Sequence, residues 1–327
     1  MSLVVKGELR TDWLDAETEA GEFVRQDSQF RHWLTSDGRA GPSGEGGFAA
    51  EPGRYHLYIS YACPWAHRTL IFRKLKKLES LISVSVVNPY MGPKGWSFAA
   101  YPGATADTVN NAEHMYQVYL RAQPDYSGIV TVPVLWDKQR QTIVNNESSE
   151  IIRMFNSAFA EHAAPSVDYY PESLRAEIDT INDFVYNNVN NGVYRVGFAT
   201  TQQAYNEAFD RLFSALDRLE HLLAKQRYLV GEQITEADWR LFTTLVRFDA
   251  VYVGHFKCNA RRMVDYPNLH NYLLELYQVP GIGETVNMDH IKQHYYTSHP
   301  EINPTGIVPR GPVLNFAQPH HRERSYD

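Results

Sequence analysis

The sequence predicts an α/β domain followed by an all-helical one, and three observations carry that reading. Two β-branched runs flank a segment with helical spacing, a second pair of β-runs surrounds a polar turn, and from about residue 172 the apolar residues recur at the helical period. A chain of 327 residues is also long for a single core, so two domains are expected.

The first fifty residues hold two Trp-containing apolar clusters, at Trp13 and Trp33, and the glycine-rich stretch DGRAGPSGEGG. This part reads as a flexible surface arm, with the fold proper starting near Arg54. RYHLYIS (54–60) is a β-rich run, CPWAHRTLIFRKLKKL (63–78) has helical spacing with basic residues at its end, and LISVSVVNP (81–89) is a β-branched run stopped by proline. That is a βαβ unit, whose strands should be parallel. A Gly/Pro-rich insertion (90–107) leads to a helix at NAEHMYQVYLRAQ (111–123), a hairpin at TVPVLWDKQRQTIVNN (131–146) and a helix opening at ESSEIIRMF (147–155). The order β-α-β, α, β-β, α is the thioredoxin-like arrangement. HAAPSVDYYP (162–171) reads as a linker, so the expected division is an arm (1–50), a thioredoxin-like domain (51–162) and an all-α domain with an extended tail (163–327). Helices are expected at about 172–190, 202–226, 235–254 and 267–278, the third started by a capping box of Thr235 and Asp238. The last thirty residues are too rich in proline for regular structure and should wrap over the surface.

Composition narrows the function classes. Hydrophobic residues at 43% and charged residues at 21% describe an ordinary globular protein, and a net charge of -7 argues against a nucleic-acid binder. No stretch reaches the roughly 18 apolar residues of a membrane span, and the N-terminus has no signal-peptide core. With only two cysteines, Cys63 and Cys258, a disulfide framework is not expected, and a reducing cytosol is the natural home.

Cys63 stands where the first strand run meets the helix, followed at once by Pro64. A helix N-terminus offers unpaired N–H groups and positive dipole to a thiolate, and proline suits the first turn because its missing N–H would be unsatisfied anyway. A buried structural cysteine is the bland alternative, but the strand-Cys-Pro-x-x-helix context favours a reactive thiol. Position 66, where a second thiol would close a local disulfide, is Ala66, so turnover requires a small external thiol, for which glutathione is the abundant choice. Cys258 is expected to pack against its neighbours, with a remote partner thiol for Cys63 as the alternative. Val132-Pro133 precedes a β-run; beside such a thiol a cis proline is expected, letting the Val132 backbone face a peptide-like ligand. Glu147 and Ser148 open a helix, where hydroxyl, N–H groups and carboxylate match the amino-acid end of a γ-glutamyl group; taken alone, the pair is better explained by an ordinary helix cap. His290 and His294 have i, i+4 spacing, but no HExxH or Cys/His cluster accompanies them and no metal is expected. Tyr194, Tyr252, Tyr295 and Tyr296 lie in aromatic-rich pieces and are candidate acids and thiolate partners.

The Cys-Pro-Trp-Ala helix start, VPVLWD, NNESSEI and the ITxAD cap together resemble a glutathione transferase. More specifically, YISYACPWAHRTLI, KGWSF, FDAVYVGHFKCN and HYYTSHPEINPTGIVPRGP resemble its Xi class, the glutathionyl-hydroquinone reductases, over nearly the whole chain. The resemblance implies that Cys63 is the nucleophile, that Trp96 and the Val132 backbone bind glutathione beside Pro133, and that Glu147 with Ser148 holds its γ-glutamyl end. It further implies Tyr194 as proton donor, Tyr252 and Tyr295 near the thiol and hydroquinone, a homodimer, and glutathione as co-substrate with no bound cofactor. An omega-like thiol transferase or dehydroascorbate reductase, and a non-catalytic binding module on the same fold, are the alternative readings.

Overall fold

The computed structural model describes residues 2–11, 18–163 and 166–323. Trp13 of the first apolar cluster, Pro165 of the expected linker and the last four residues of the tail lie outside the described residues. Contacts divide the chain into two units: the first takes in Gln26–Val167 and Asp289–Ser298 with the N-terminal residues, and the second takes in Asp168–Met288, residues 18–25 and the tail.

The expected flexible arm is a correction, because its pieces are built into the units. Ser2–Val5 (β1) and Glu8–Arg10 (β2) pair across Lys6 and Gly7, whose φ values of 49° and 80° are those of a two-residue primed turn. A glycine is required at the second place: a Cβ on Gly7 would lie 2.3 Å from the Pro124 carbonyl oxygen. Thr18–Glu19 (β3) and Glu22–Phe23 (β4) form a second hairpin, in the second unit. Residues 28–35 run along the first unit, where Phe30 N–H donates to Asn146 Oδ1 (3.1 Å), His32 N–H to the Val144 carbonyl (3.0 Å), and Arg31 makes a bidentate pair with Glu150.

The βαβ unit forms as expected. Tyr55–Ile59 (β5), buried at every position, pairs in parallel with Ser83–Val86 (β6) across Pro64–Leu75 (α1). A short hairpin of Met91–Gly92 (β7) and Gly95–Trp96 (β8), then Met115–Ala122 (α2), lead to Gly128–Val130 (β9), which takes β1 as its antiparallel neighbour. Val134–Asp137 (β10) and Thr142–Asn145 (β11) are the expected hairpin, giving the sheet order β11-β10-β5-β6, and Ser148–Ser157 (α3) packs against α1. A buried fork fixes the far edge of this sheet: Arg54 donates to both oxygens of Asp137 (3.0 and 3.1 Å), and Asp137 Oδ1 also takes the Gln139 N–H of the hairpin turn (2.8 Å).

The second unit is helical: Arg175–Val185 (α4), Gly192–Gly197 (α5), Gln202–Leu223 (α6), Glu236–Arg247 (α7) and Pro267–Gln278 (α8). π-helical turns at Tyr186–Asn190 and Phe248–Tyr252 extend α4 and α7. Tail residues after 298 contain no helix or strand among the described residues and are tied to this unit, with Arg322 donating to the Leu223 (3.0 Å) and Gln226 (3.1 Å) carbonyls. One segment departs from the expected division. By position Met288–Thr297 (α9) falls in the expected helical domain, but from Asp289 on it belongs to the first unit: His290 and His294 bond the Pro102 (2.7 Å) and Pro89 (3.0 Å) carbonyls, and Asp289 accepts the Tyr101 hydroxyl (2.8 Å).

The α7 capping box is present and does more than cap. Buried Asp238 accepts the Thr235 N–H (2.7 Å), the Leu229 N–H (2.9 Å) and the Tyr272 hydroxyl (2.7 Å), linking the start of α7 to the loop before it and to α8. Burial raises its pKa, which those donors oppose. Asp238→Ala would take this acceptor from four donors, the Thr235 hydroxyl (3.1 Å) being the fourth, each costing roughly 1–3 kcal/mol where it is left unsatisfied. The expected loss is therefore about 3 kcal/mol or more, read as a lower urea midpoint; an unchanged midpoint would refute the role.

Candidate functional site

β5 runs into the sheet interior and α1 leaves it, so the residue between them is held at a helix start. Cys63 is the N-cap of α1, extended at φ -75° and ψ 119°, with Pro64 in the first turn. Its Sγ accepts the Ala66 N–H at 3.5 Å and donates to the Val132 carbonyl at 3.4 Å, and the side chain is partly exposed. The N–H of the helix start is the kind of donor that favours a thiolate, while the Val132 carbonyl takes the proton of the thiol form. Val132-Pro133 is cis, as expected. The thiol and the backbone before the proline are thus in direct contact.

Glu147 is the N-cap of α3, its carboxylate accepting the Ser149 N–H at 3.0 Å, and Ser148 begins the helix, buried at 3% exposure. The capping role is therefore real; one carboxylate oxygen serves the cap and the other takes the Ser28 hydroxyl at 3.2 Å. Trp96 ends β8 buried, its ring stacked on His294 of α9 at 4.7 Å between centroids and 27°. Tyr295, next on α9, is buried at 1% exposure, whereas Tyr296 is half-buried and burial raises its pKa. The first unit thus contains Cys63, Trp96, Val132, Pro133, Glu147, Ser148 and Tyr295.

Tyr194 on α5 and Tyr252 at the end of the second π-helical turn belong to the second unit and face each other edge-on, 6.2 Å between centroids. Phe256 lies 5.5 Å from both, and it reaches them because Gly197 has no side chain: a Cβ there would lie 2.2 Å from the Phe256 ring. Arg25 holds its guanidinium 4.9 Å over the Tyr194 ring while its Nε donates to Asn191 Oδ1 at 2.8 Å. At the cluster's edge, buried His255 and His299 share a 3.0 Å hydrogen bond. Cys258 is fully buried, its thiol pushed well up by that burial, which fits the expected packing role.

Sequence reasoning missed Arg25, Ser28 and the His294 stack on Trp96. None had a local signal, since each acts on a residue more than a hundred positions away. His290 and His294, the pair with metal-like spacing, bond two different backbone carbonyls. Among the described residues no group of three or more His, Cys, Asp or Glu is placed to hold a metal, and no helix is long and apolar enough to cross a membrane.

A thiol capping the helix of a βαβ unit, a cis-proline loop against it and a separate helical unit are the parts of a glutathione transferase, and comparison with known proteins agrees. Family models for the glutathione S-transferase N-terminal and C-terminal domains match residues 62–158 and 202–275. The glutathionyl-hydroquinone reductase YqjG of Escherichia coli K12 is 57% identical over 324 residues, 99% of each chain. Its glutathione-bound structure superposes with a TM-score of 0.89 at 60% identity, covering 90% of this chain and 96% of that one. The Xi-class glutathione transferase of Natrialba magadii gives 0.90 at 51% identity, over 99% and 97%. The chain belongs to the glutathione transferase family and, within it, to the Xi class of glutathionyl-hydroquinone reductases.

Burial, helped by Lys257, pushes the His255 imidazole down to about 4 from the ordinary 6.5. A histidine depressed in the folded state is protonated first in the unfolded chain, so its contribution is complete above pH 6.5 and is lost as pH falls towards 4. Thermal midpoints recorded across that window should fall less steeply in His255→Gln than in the parent, and identical slopes would show that this residue carries none of the acid sensitivity.

Proposed function

We propose that this chain reduces glutathionyl-hydroquinones to hydroquinones with a second glutathione as reductant, Cys63 being the nucleophile. The observation that carries the proposal is the single thiol at the start of α1, with Ala66 where an internal resolving thiol would stand. The substrate class comes from the reductase that matches the chain along 99% of its length.

In the first step the Cys63 thiolate attacks the sulfur of the substrate. An S–S bond forms, the aryl C–S bond breaks, and the electron pair passes to the ring carbon, which takes a proton as the hydroquinone leaves. Carbon is a poor leaving atom, so an acid that protonates it, or favours the ring's keto tautomer, lowers the barrier; Tyr194 has that role, and Tyr252 and Tyr295 are the further tyrosines that the family resemblance associates with the thiol and hydroquinone. In the second step a glutathione thiolate attacks the Cys63 mixed disulfide, releasing glutathione disulfide and restoring the Cys63 thiolate. Trp96 and the Val132 backbone beside Pro133 hold the tripeptide, Glu147 takes its ammonium, and Ser148 with the first turn of α3 takes its carboxylate. Glutathione is a co-substrate, and no resident cofactor is required.

Brief mixing with glutathionyl-menadione, without free glutathione, should add one glutathione to Cys63 by intact mass and release menadiol. A reduced protein that stays unmodified would remove the reductase reading. Cys63→Ala should abolish turnover, and Cys63→Ser should shift the chain towards glutathione conjugation, since a hydroxyl hydrogen-bonds a thiolate without forming a disulfide. Stopped-flow separation of the two steps tests the acid: Tyr194→Phe should slow the first by roughly 10²-fold or more, the usual scale of general acid catalysis, and leave the second nearly unchanged. Equal slowing of both would rule Tyr194 out as the acid.

A further inference from the structure

The Val132 backbone and the Glu147–Ser148 helix start lie on separate segments of the first unit, yet a bound tripeptide needs them at a fixed spacing. One fully buried hydroxyl joins the two. Tyr119 on α2 donates to the Thr131 carbonyl (3.0 Å) and accepts from the Thr131 N–H (3.3 Å) and from Asn146 Nδ2 (3.1 Å). Thr131 is the residue before Val132, and Asn146 is the residue before Glu147. The Thr131 hydroxyl also lies 3.3 Å away, so four polar groups from these two residues surround a phenol that has one donor and two acceptor positions.

The partners are themselves committed. Asn146 Oδ1 takes the Phe30 N–H (3.1 Å) and its carbonyl takes the Ser28 hydroxyl (3.2 Å), which also lies 3.2 Å from the Glu147 carboxylate. The Tyr119 ring is wedged between Phe30 (5.7 Å, edge-on) and Tyr126 (5.1 Å). Burial raises the phenol's pKa, so the proton it donates stays in place. The link is therefore tied down at both of its ends and along the ring between them.

We infer that Tyr119 is a positioning residue that sets the spacing between the Val132 backbone and Glu147, and through it the affinity for glutathione. The inference rests on the proposed reading of Val132 and Glu147 as glutathione contacts. Without the hydroxyl the two segments keep their folds but lose their common reference, and the ammonium contact at Glu147 is misplaced relative to the cysteinyl backbone.

The test is calorimetric binding of S-methylglutathione, which forms no disulfide, to the full-length chain and to Tyr119→Phe, Glu147→Gln and the double variant. The expected result is a loss of about tenfold or more for each single variant, the scale of one charge-assisted hydrogen bond, with Tyr119→Phe costing little more once Glu147 is already replaced. Tyr126→Phe is the control: it removes a hydroxyl of the same aromatic cluster, bonded to the Ile129 carbonyl at 2.9 Å, and should lower stability without changing affinity. Equal losses from Tyr119→Phe in both backgrounds, or none in either, would overturn the inference while leaving the glutathione site standing. An unchanged affinity in Glu147→Gln would instead remove the site reading and this inference with it. Should Tyr119→Phe fail to fold, Asn146→Ala breaks the same link from its other end and must show the same dependence on Glu147.

Discussion

A helix that begins where a parallel strand ends leaves the N–H groups of its first turn without partners inside the helix, and the rest of the first unit depends on how those are met. Pro64 removes one of them, and the Cys63 sulfur takes another from Ala66. The thiol is therefore placed by backbone geometry, with the Val132 carbonyl on its other side. Sheet topology then brings the remaining parts to the same edge. β5 ends at Ile59, four residues before Cys63; β10 is antiparallel to β5, so its beginning, after Val132-Pro133, lies at that same end; β11 is antiparallel to β10, so its end, before Glu147, returns there. Three segments far apart in sequence meet because of strand direction alone.

Strand direction sets the neighbourhood but not the spacing, and buried polar groups do the finer work. In the first unit the link is neutral and short, a tyrosine hydroxyl between Thr131 and Asn146. In the second it is a carboxylate, Asp238, gathering donors from a loop, a helix start and α8. Both are expensive to leave half-satisfied, so each defines one arrangement rather than adding much net stability. The second unit also uses irregular backbone: Tyr252 closes one π-helical turn and Tyr194 follows another, while Gly197 gives up a side chain so that Phe256 can reach both rings. Those departures from regular helix are confined to the segments that carry the two tyrosines.

Much of this was legible in the sequence because its causes are local. The βαβ unit is written in two β-branched runs around a helical period, the hairpin in a polar turn between strands, and the α7 start in the Thr235–Asp238 spacing. Cys63 as a helix cap follows from its place before Pro64. The first fifty residues were misread because glycine and proline speak only of flexibility, whereas β1 gains its partner from β9, more than a hundred residues on, and Arg31 gains its ion pair from Glu150. The place of α9 is illegible for the same reason: nothing in its sequence says that His290 and His294 bond carbonyls of the 90–107 insertion and the residue before it. Arg25 over Tyr194 was invisible because a cation near a ring has no spacing rule when the two stand on unrelated segments.

The absence of a second cysteine at position 66 has a further consequence for how such a site must be open. With an internal resolving thiol the mixed disulfide is attacked from within the helix turn, and the first tripeptide is expelled as it leaves. With Ala66 the first tripeptide, held at Val132 and Glu147 in the proposed cycle, stays covalently attached while a second thiolate approaches along the S–S axis. To give glutathione disulfide the attack must fall on the glutathione sulfur, from the side opposite Cys63 and with Cys63 as the leaving group, so the mixed disulfide cannot be enclosed. The partial exposure of Cys63 fits this demand, and it contrasts with Cys258: one thiol stands at a helix start within reach of an N–H donor, the other is enclosed where a charge would be penalised.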